Sequence, residues 1–122
     1  MIGYVTIGTN DFARACAFYD TLLGEMGAKR FMEMDRLIIW GTEPGAPMFA
    51  VCKPYDGKPA TAGNGTMVAL NAGTREMADK LYAKALSLGA TDEGAPGQRG
   101  EGFYGGYFRD PDGNKFVAFV MG

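Results

Sequence analysis

Residues 4–23 read YVTIGTNDFARACAFYDTLL, and residues 67–86 read MVALNAGTREMADKLYAKAL. Laid one on the other, Val5 meets Val68, Ile7 meets Leu70, Ala15 meets Ala78, Phe18 meets Leu81, Tyr19 meets Tyr82 and Leu23 meets Leu86. Tyr4 lies 63 positions before Met67, as Leu23 does before Leu86, in a chain of 122 residues. A repeat at close to half the chain length proposes one supersecondary unit written twice, each copy burying an apolar face that it cannot cover alone.

Working outward, each copy gives the same order of elements. In the first, residues 2–7 are β-prone and end at Gly8. Asn10 and Asp11 offer an N-cap, and Phe12, Ala15, Cys16, Tyr19, Leu22 and Leu23 recur at helical spacing until Gly24 and Gly27. Residues 28–34 and 37–40 read as strands around a turn at Asp35, and residues 48–53 as a third strand closed by Pro54. In the second, residues 66–71 form a strand. Thr74 caps a helix with Met77, Ala78, Leu81, Ala85 and Leu88 on one face, and Gly89 ends it. Residues 90–93 make a short strand, residues 94–102 a loop, and residues 103–109 and 115–120 two strands. Asp-Pro-Asp-Gly-Asn at 110–114 joins that pair, since Pro fixes φ, Gly accepts positive φ and the short polar side chains bond their own backbone. The expected fold is α+β: two tandem βαβββ modules in one domain spanning 1–122. Module 1 covers about 1–54, a linker rich in Gly and Pro about 55–65, and module 2 about 66–122.

Composition narrows the function. A hydrophobic share of 47% and a charged share of 21% suit a soluble globular domain. The net charge is −2 and Lys29-Arg30 is the only adjacent basic pair, which argues against a nucleic-acid surface. No apolar run approaches bilayer length and the N-terminus lacks a signal pattern, so no membrane partner is expected. Cys16 and Cys52 do not make a metal spacing, and a cytoplasmic, reduced location is the simplest reading. Histidine is absent, which removes the commonest metal ligand and the usual neutral-pH acid–base group.

The opening (residues 2–28), the stretch NGTMVALNA and the ending GAPGQRGEGFYGGYFRDPDGNKFVAFV resemble the vicinal oxygen chelate superfamily, which includes glyoxalase I, bleomycin and fosfomycin resistance proteins and extradiol dioxygenases. Asn-Asp-x-x-x-Ala-x-x-Phe-Tyr and Asp-Pro-Asp-Gly-Asn stand in the right order, and the likeness covers nearly the whole chain. It implies a glyoxalase-like fold of paired modules with cupped sheets, a homodimer, and a ligand pocket in a cup or at the subunit junction. Metal-binding members present a His in the first strand of each module and a Glu after the Asp-Pro-Asp-Gly-Asn turn. The matching positions hold Tyr4, Met67 and Val117, and by analogy the remaining one falls near Phe49. A hard divalent cation needs oxygen or imidazole donors. The expectation is therefore no metal site and no cofactor, which bears against the metal-dependent activities of the superfamily.

Other motifs resolve to ordinary structure. Residues 100–105 spell G-x-G-x-x-G but run into a strand, whereas a dinucleotide loop must open a helix. Asp110-x-Asp112-Gly113 is too short for a calcium loop. Cys52 has no His to activate it, and Lys53 reads as a surface charge. The segment holding Arg99, Glu101, Phe103, Tyr104, Tyr107 and Arg109 is the most informative: aromatic faces beside cations suit a small polar ligand. A plain strand with its aromatics in the core and its charges in solvent explains the same letters. With Trp40 and Met67, the ligand-binding candidates are Trp40, Met67, Arg99, Phe103, Tyr104, Tyr107 and Arg109. Tyr4, Glu101 and Tyr104 are the acid–base candidates.

Three readings follow. One is a metal-independent protein that binds or sequesters a small molecule. Another is a metal-independent lyase or isomerase on an oxygenated substrate, or a glyoxalase-like lyase. The third is an interaction partner without a pocket.

Overall fold

The computed structural model describes Met1–Gly122. Its elements are β1 (Tyr4–Gly8), α1 (Phe12–Gly24), β2 (Lys29–Glu33), β3 (Leu37–Gly41), β4 (Met48–Cys52), β5 (Val68–Asn71), α2 (Arg75–Ser87), β6 (Thr91–Gln98), β7 (Phe103–Arg109) and β8 (Lys115–Met121). The two helices and two four-stranded mixed sheets make an α+β fold of tandem βαβββ modules. The strand orders are β1-β4-β3-β2 and β5-β8-β7-β6. In each sheet the first strand lies parallel to the last, and the other pairs are antiparallel. The chain divides into two compact units, Met1–Ala62 and Gly63–Gly122. No helix is long and apolar enough to cross a membrane.

The repeat is legible in the caps. Asp11 accepts a hydrogen bond from the Arg14 amide at 3.1 Å, and Thr74 accepts one from the Met77 amide at 3.1 Å. Each cap satisfies one of the free amides of a first helical turn. Phe12 starts α1 and Arg75 starts α2, 63 positions apart, and both helices run for 13 residues.

Each helix buries its apolar stripe on one face of its own sheet. In the first unit Tyr19 of α1 packs on Phe49 and Trp40, with ring centres 4.9 and 5.9 Å apart. Ile38 and Val51 are buried alongside them. In the second, Ala78, Leu81 and Ala85 of α2 are buried, as are Leu70, Phe108, Phe116 and Ala118 of its sheet. Gly106 permits the approach there: a Cβ would lie 2.8 Å from Pro96 and 3.1 Å from Tyr82. Strand alternation turns the other residues of each sheet to the opposite, distal face.

Residues 94–102 depart from the expected loop, because β6 runs on to Gln98. Its ladder with β7 skips between Asp92 and Gly94 and again between Gly94 and Gly97. Pro96, which has no amide to donate, falls within the second irregularity, where an edge strand tolerates it. Gly94 carries φ +143° there. The turn at 110–114 forms as expected. Its buried Asp110 carboxylate accepts from the amides of Asp112 and Asn114 at 2.9 Å and from the Asn114 side chain at 3.0 Å.

Candidate ligand-binding face

The distal face of the second sheet gathers the aromatic and cationic side chains of β7 and β8. Phe103 lies opposite Met121, Gly105 opposite Phe119, Tyr107 opposite Val117, and Arg109 opposite Lys115. Phe103 and Phe119 stack with their centres 5.3 Å apart and their planes 2° from parallel. The Tyr107 ring lies 5.6 Å from the Lys115 ammonium and 5.6 Å from the Arg99 guanidinium. Arg99 is held by its amide, which donates to Phe103 O at 2.7 Å, and by its guanidinium, which donates to Ala95 O at 2.6 Å. Arg109 pairs with Glu93 and donates to Gly113 O at 2.9 Å.

The sequence candidates separate by strand parity. Arg99, Phe103, Tyr107 and Arg109 belong to this face. Tyr104 points the other way: its hydroxyl donates to Asp79 of α2 at 2.5 Å, with Arg75 4.8 Å from the ring. That hydrogen bond to Asp79 raises the phenol pKa, so Tyr104 stays protonated and occupied. Glu101 is exposed in the turn between β6 and β7, flanked by Gly100 and Gly102 at φ +68° and +69°. Trp40, expected on the first cup, is 1% exposed on the helix side. Its indole donates to Asp20 of α1 at 2.9 Å, and Asp20 also receives two bonds from Arg30 at 2.8 and 2.9 Å. Trp40 is thus a core residue whose polar atom is satisfied within the first unit. Tyr4 lies on the distal side of the first sheet, opposite Met48, and is 53% exposed. Met67 is 44% exposed, one residue before β5. Sequence reasoning missed Lys115 and Phe119. Their signal was alternation: counted in twos from Val117, both fall on its face.

A concavity of about 310 Å³ lies in the first unit between the ends of β1 and β4 and the segment after them. Thr6, Gly8, Cys52, Asp56, Ala60 and Thr61 line it. Asn10 clasps that segment through two bonds with Ala60, at 2.7 and 3.1 Å. Both cysteines are free, and burial pushes the Cys16 thiol upward.

Compared with known proteins, residues 1–118 match the model of the Glyoxalase/Bleomycin resistance protein/Dioxygenase superfamily. The chain belongs to this superfamily. A glyoxalase/bleomycin resistance protein from Albidiferax ferrireducens T118 shares 35% identity and a TM-score of 0.89, over 98% of this chain and 97% of that one. A glyoxalase/bleomycin resistance protein/dioxygenase family enzyme from Burkholderia phytofirmans PsJN shares the fold at 22% identity and TM-score 0.79, over 98% and 97% of the two chains. Lactoylglutathione lyase from Agrobacterium tumefaciens does so at 19% identity and TM-score 0.70, over 98% and 92%. No protein of curated function matches the chain.

The positions that the resemblance assigns to metal ligands can be followed through the strand register. Thr6 pairs with Ala50 in the first sheet, and Ala69, 63 residues after Thr6, pairs with Val117 in the second. The counterpart of Val117 is therefore Ala50, one residue on from the expected Phe49, which instead packs on α1. In the first unit Tyr4 and Ala50 supply a phenol oxygen and a methyl group, and in the second Met67 and Val117 supply a thioether and an isopropyl group. Neither pair fits a divalent ion that wants carboxylate or imidazole. No group of three His, Cys, Asp or Glu side chains stands anywhere in the structure as an alternative cluster.

Proposed function

We propose that this superfamily member is a metal-independent small-molecule-binding protein of the sequestering or resistance type, and that the distal face of its second sheet is where the ligand sits. The carrying observation is that face itself: a parallel Phe103–Phe119 stack on the same face as a tyrosine ring with two cations each 5.6 Å from it, Lys115 of β8 and Arg99 just after β6. Hydrophobic and aromatic side chains with a small number of charged groups are what lines small-molecule sites. The donor set at the metal positions supports metal independence.

Binding is favoured over catalysis by where the acid–base candidates fall. Tyr104 is committed to Asp79, and Glu101 occupies an exposed turn. A metal-independent lyase or isomerase would have to work from Tyr4. The proposal includes a cytoplasmic location, supported by two unpaired thiols, and a homodimer. The exposed apolar side chains Phe31 and Met32 on the edge strand β2 support the dimer. The test is a thermal-shift screen of the purified full chain against a broad panel of metabolites and antibiotics. A saturable rise in melting temperature with at least one compound, lost in Tyr107→Ala, is expected. No shift across the panel overturns the reading.

A further inference from the structure

We propose that the distal face of the second sheet selects small organic anions carrying a flat unsaturated group, an aryl carboxylate or aryl phosphate; this rests on the small-molecule reading above and names its ligand class. Arg109 and Lys115 are directly opposite across the β7–β8 ladder, a like-charged pair that costs stability unless it is compensated. Glu93 compensates Arg109. Lys115 has no carboxylate partner, and neither does Arg99, whose bonds go to a backbone carbonyl. Both are half-buried and both lie against the same tyrosine ring, so the two charges stand within twice 5.6 Å of each other. A ring quadrupole offsets only part of one cation. Two cations flanking one ring, Arg99 over β6 and Lys115 on β8, with no acid of their own leave a positive rim around Tyr107 that an anion would complete.

The seat of Arg99 is built into the sequence. A Cβ on Gly97 would lie 2.9 Å from one guanidinium nitrogen, and a Cβ on Gly94 would lie 3.3 Å from the other. Gly97 has no positive φ to explain its identity, so the space it leaves for Arg99 is its evident use. The flat part of the ligand has a matching place. Gly105 faces Phe119 across the ladder, and a Cβ there would lie 3.1 Å from the Phe103 ring and 2.9 Å from Val117. The missing side chain keeps the paired rings clear.

The scaffold does not demand any of this. The first sheet keeps the same ladders, and there Ile39, Met48 and Cys52 hold the places of Tyr107, Lys115 and Phe119. One copy of the module carries an apolar surface where the other carries cations and rings.

The experiment is calorimetric titration of the full chain with phenyl phosphate, benzoate, benzamide and inorganic phosphate at low ionic strength. Phenyl phosphate or benzoate is expected to bind at least tenfold more tightly than benzamide and inorganic phosphate. Arg99→Gln and Lys115→Gln are each expected to weaken that binding tenfold or more, while Lys115→Arg stays within threefold. Gly97→Ala, which crowds the guanidinium without removing its charge, is expected to weaken it less than Arg99→Gln does, with the melting temperature nearly unchanged. Benzamide binding as tightly as benzoate overturns the anion selectivity and leaves the small-molecule reading standing. So does silence from all four probes if the wider metabolite panel still gives a shift. Full affinity in folded Lys115→Gln overturns the assignment to this face. Failure of both the probes and the panel removes both readings together.

Discussion

Asp20 shows how one side chain ties a helix to its sheet. Its carboxylate receives two bonds from Arg30 and one from the Trp40 indole, and the Arg30 guanidinium is the main cause holding its pKa below the ordinary carboxylate range. A depressed carboxylate pKa stabilises the fold above the unfolded value, near pH 4, and that contribution fades as the pH falls through the lower folded value. Asp20→Asn is therefore expected to cost roughly 0.5–1 kcal/mol at pH 7, a figure kept small because the pair is partly exposed. The difference from the native chain should shrink toward pH 3. Urea unfolding of both proteins at the two pH values checks this, and an equal or larger gap in acid would contradict it. Trp40 makes a sharper case. Truncation to Ala at 1% exposure is expected to cost about 3–5 kcal/mol through the cavity left between Tyr19 and Phe49. A loss of that size with ligand binding retained in the surviving folded fraction would fit a core residue and not a ligand contact.

At the scale of elements, the helices were readable because three independent signals agree at each: an N-cap, an apolar stripe at helical spacing, and a copy 63 residues away. Thr74→Ala removes the bond to the Met77 amide and is expected to lower stability by about 1 kcal/mol, seen as a lower urea midpoint with an unchanged slope. The strand β6 was not readable, for an equally physical reason. Thr-Asp-Glu-Gly-Ala-Pro-Gly-Gln contains two glycines, a proline and no large apolar residue, so nothing local favours extension. Its conformation comes from the β7 ladder, with bulges absorbing what the sequence cannot pair. The candidate site was half legible for the same cause. The letters from Arg99 to Arg109 announced aromatics and cations, but only the register tells that Phe103 and Tyr107 share a face and that Tyr104 belongs to α2. Lys115 sits beside a turn and reads as a solvated charge until the ladder sets it opposite Arg109.

At the scale of the whole chain, a duplicated module has kept its frame in both copies while the distal positions diverged. Two helices of equal length, two capping side chains and two identical strand orders persist. The positions that the resemblance assigns to metal ligands hold Tyr4 and Ala50 in the first unit and Met67 and Val117 in the second, and Ala50 and Val117 are fully buried. Placing a divalent ion against the buried methyl group of the one unit, or against the buried isopropyl group of the other, would strip its water and return no donor, a desolvation cost without compensation. Metal supply should therefore leave this protein unmoved. An ion that binds the native state at one hundred times its dissociation constant adds about 2.7 kcal/mol, which raises the melting temperature of a domain this size by about ten degrees. Dialysis against a chelator, followed by separate additions of Zn, Ni, Mn and Fe(II), is expected to change the melting temperature by no more than about one degree in either direction. Elemental analysis of protein purified without a metal-affinity step is expected to find metal well below one equivalent. One tightly bound equivalent, together with a chelator-induced fall in melting temperature, would mean that ligands outside these four positions assemble a centre, and the metal-independent reading would fall.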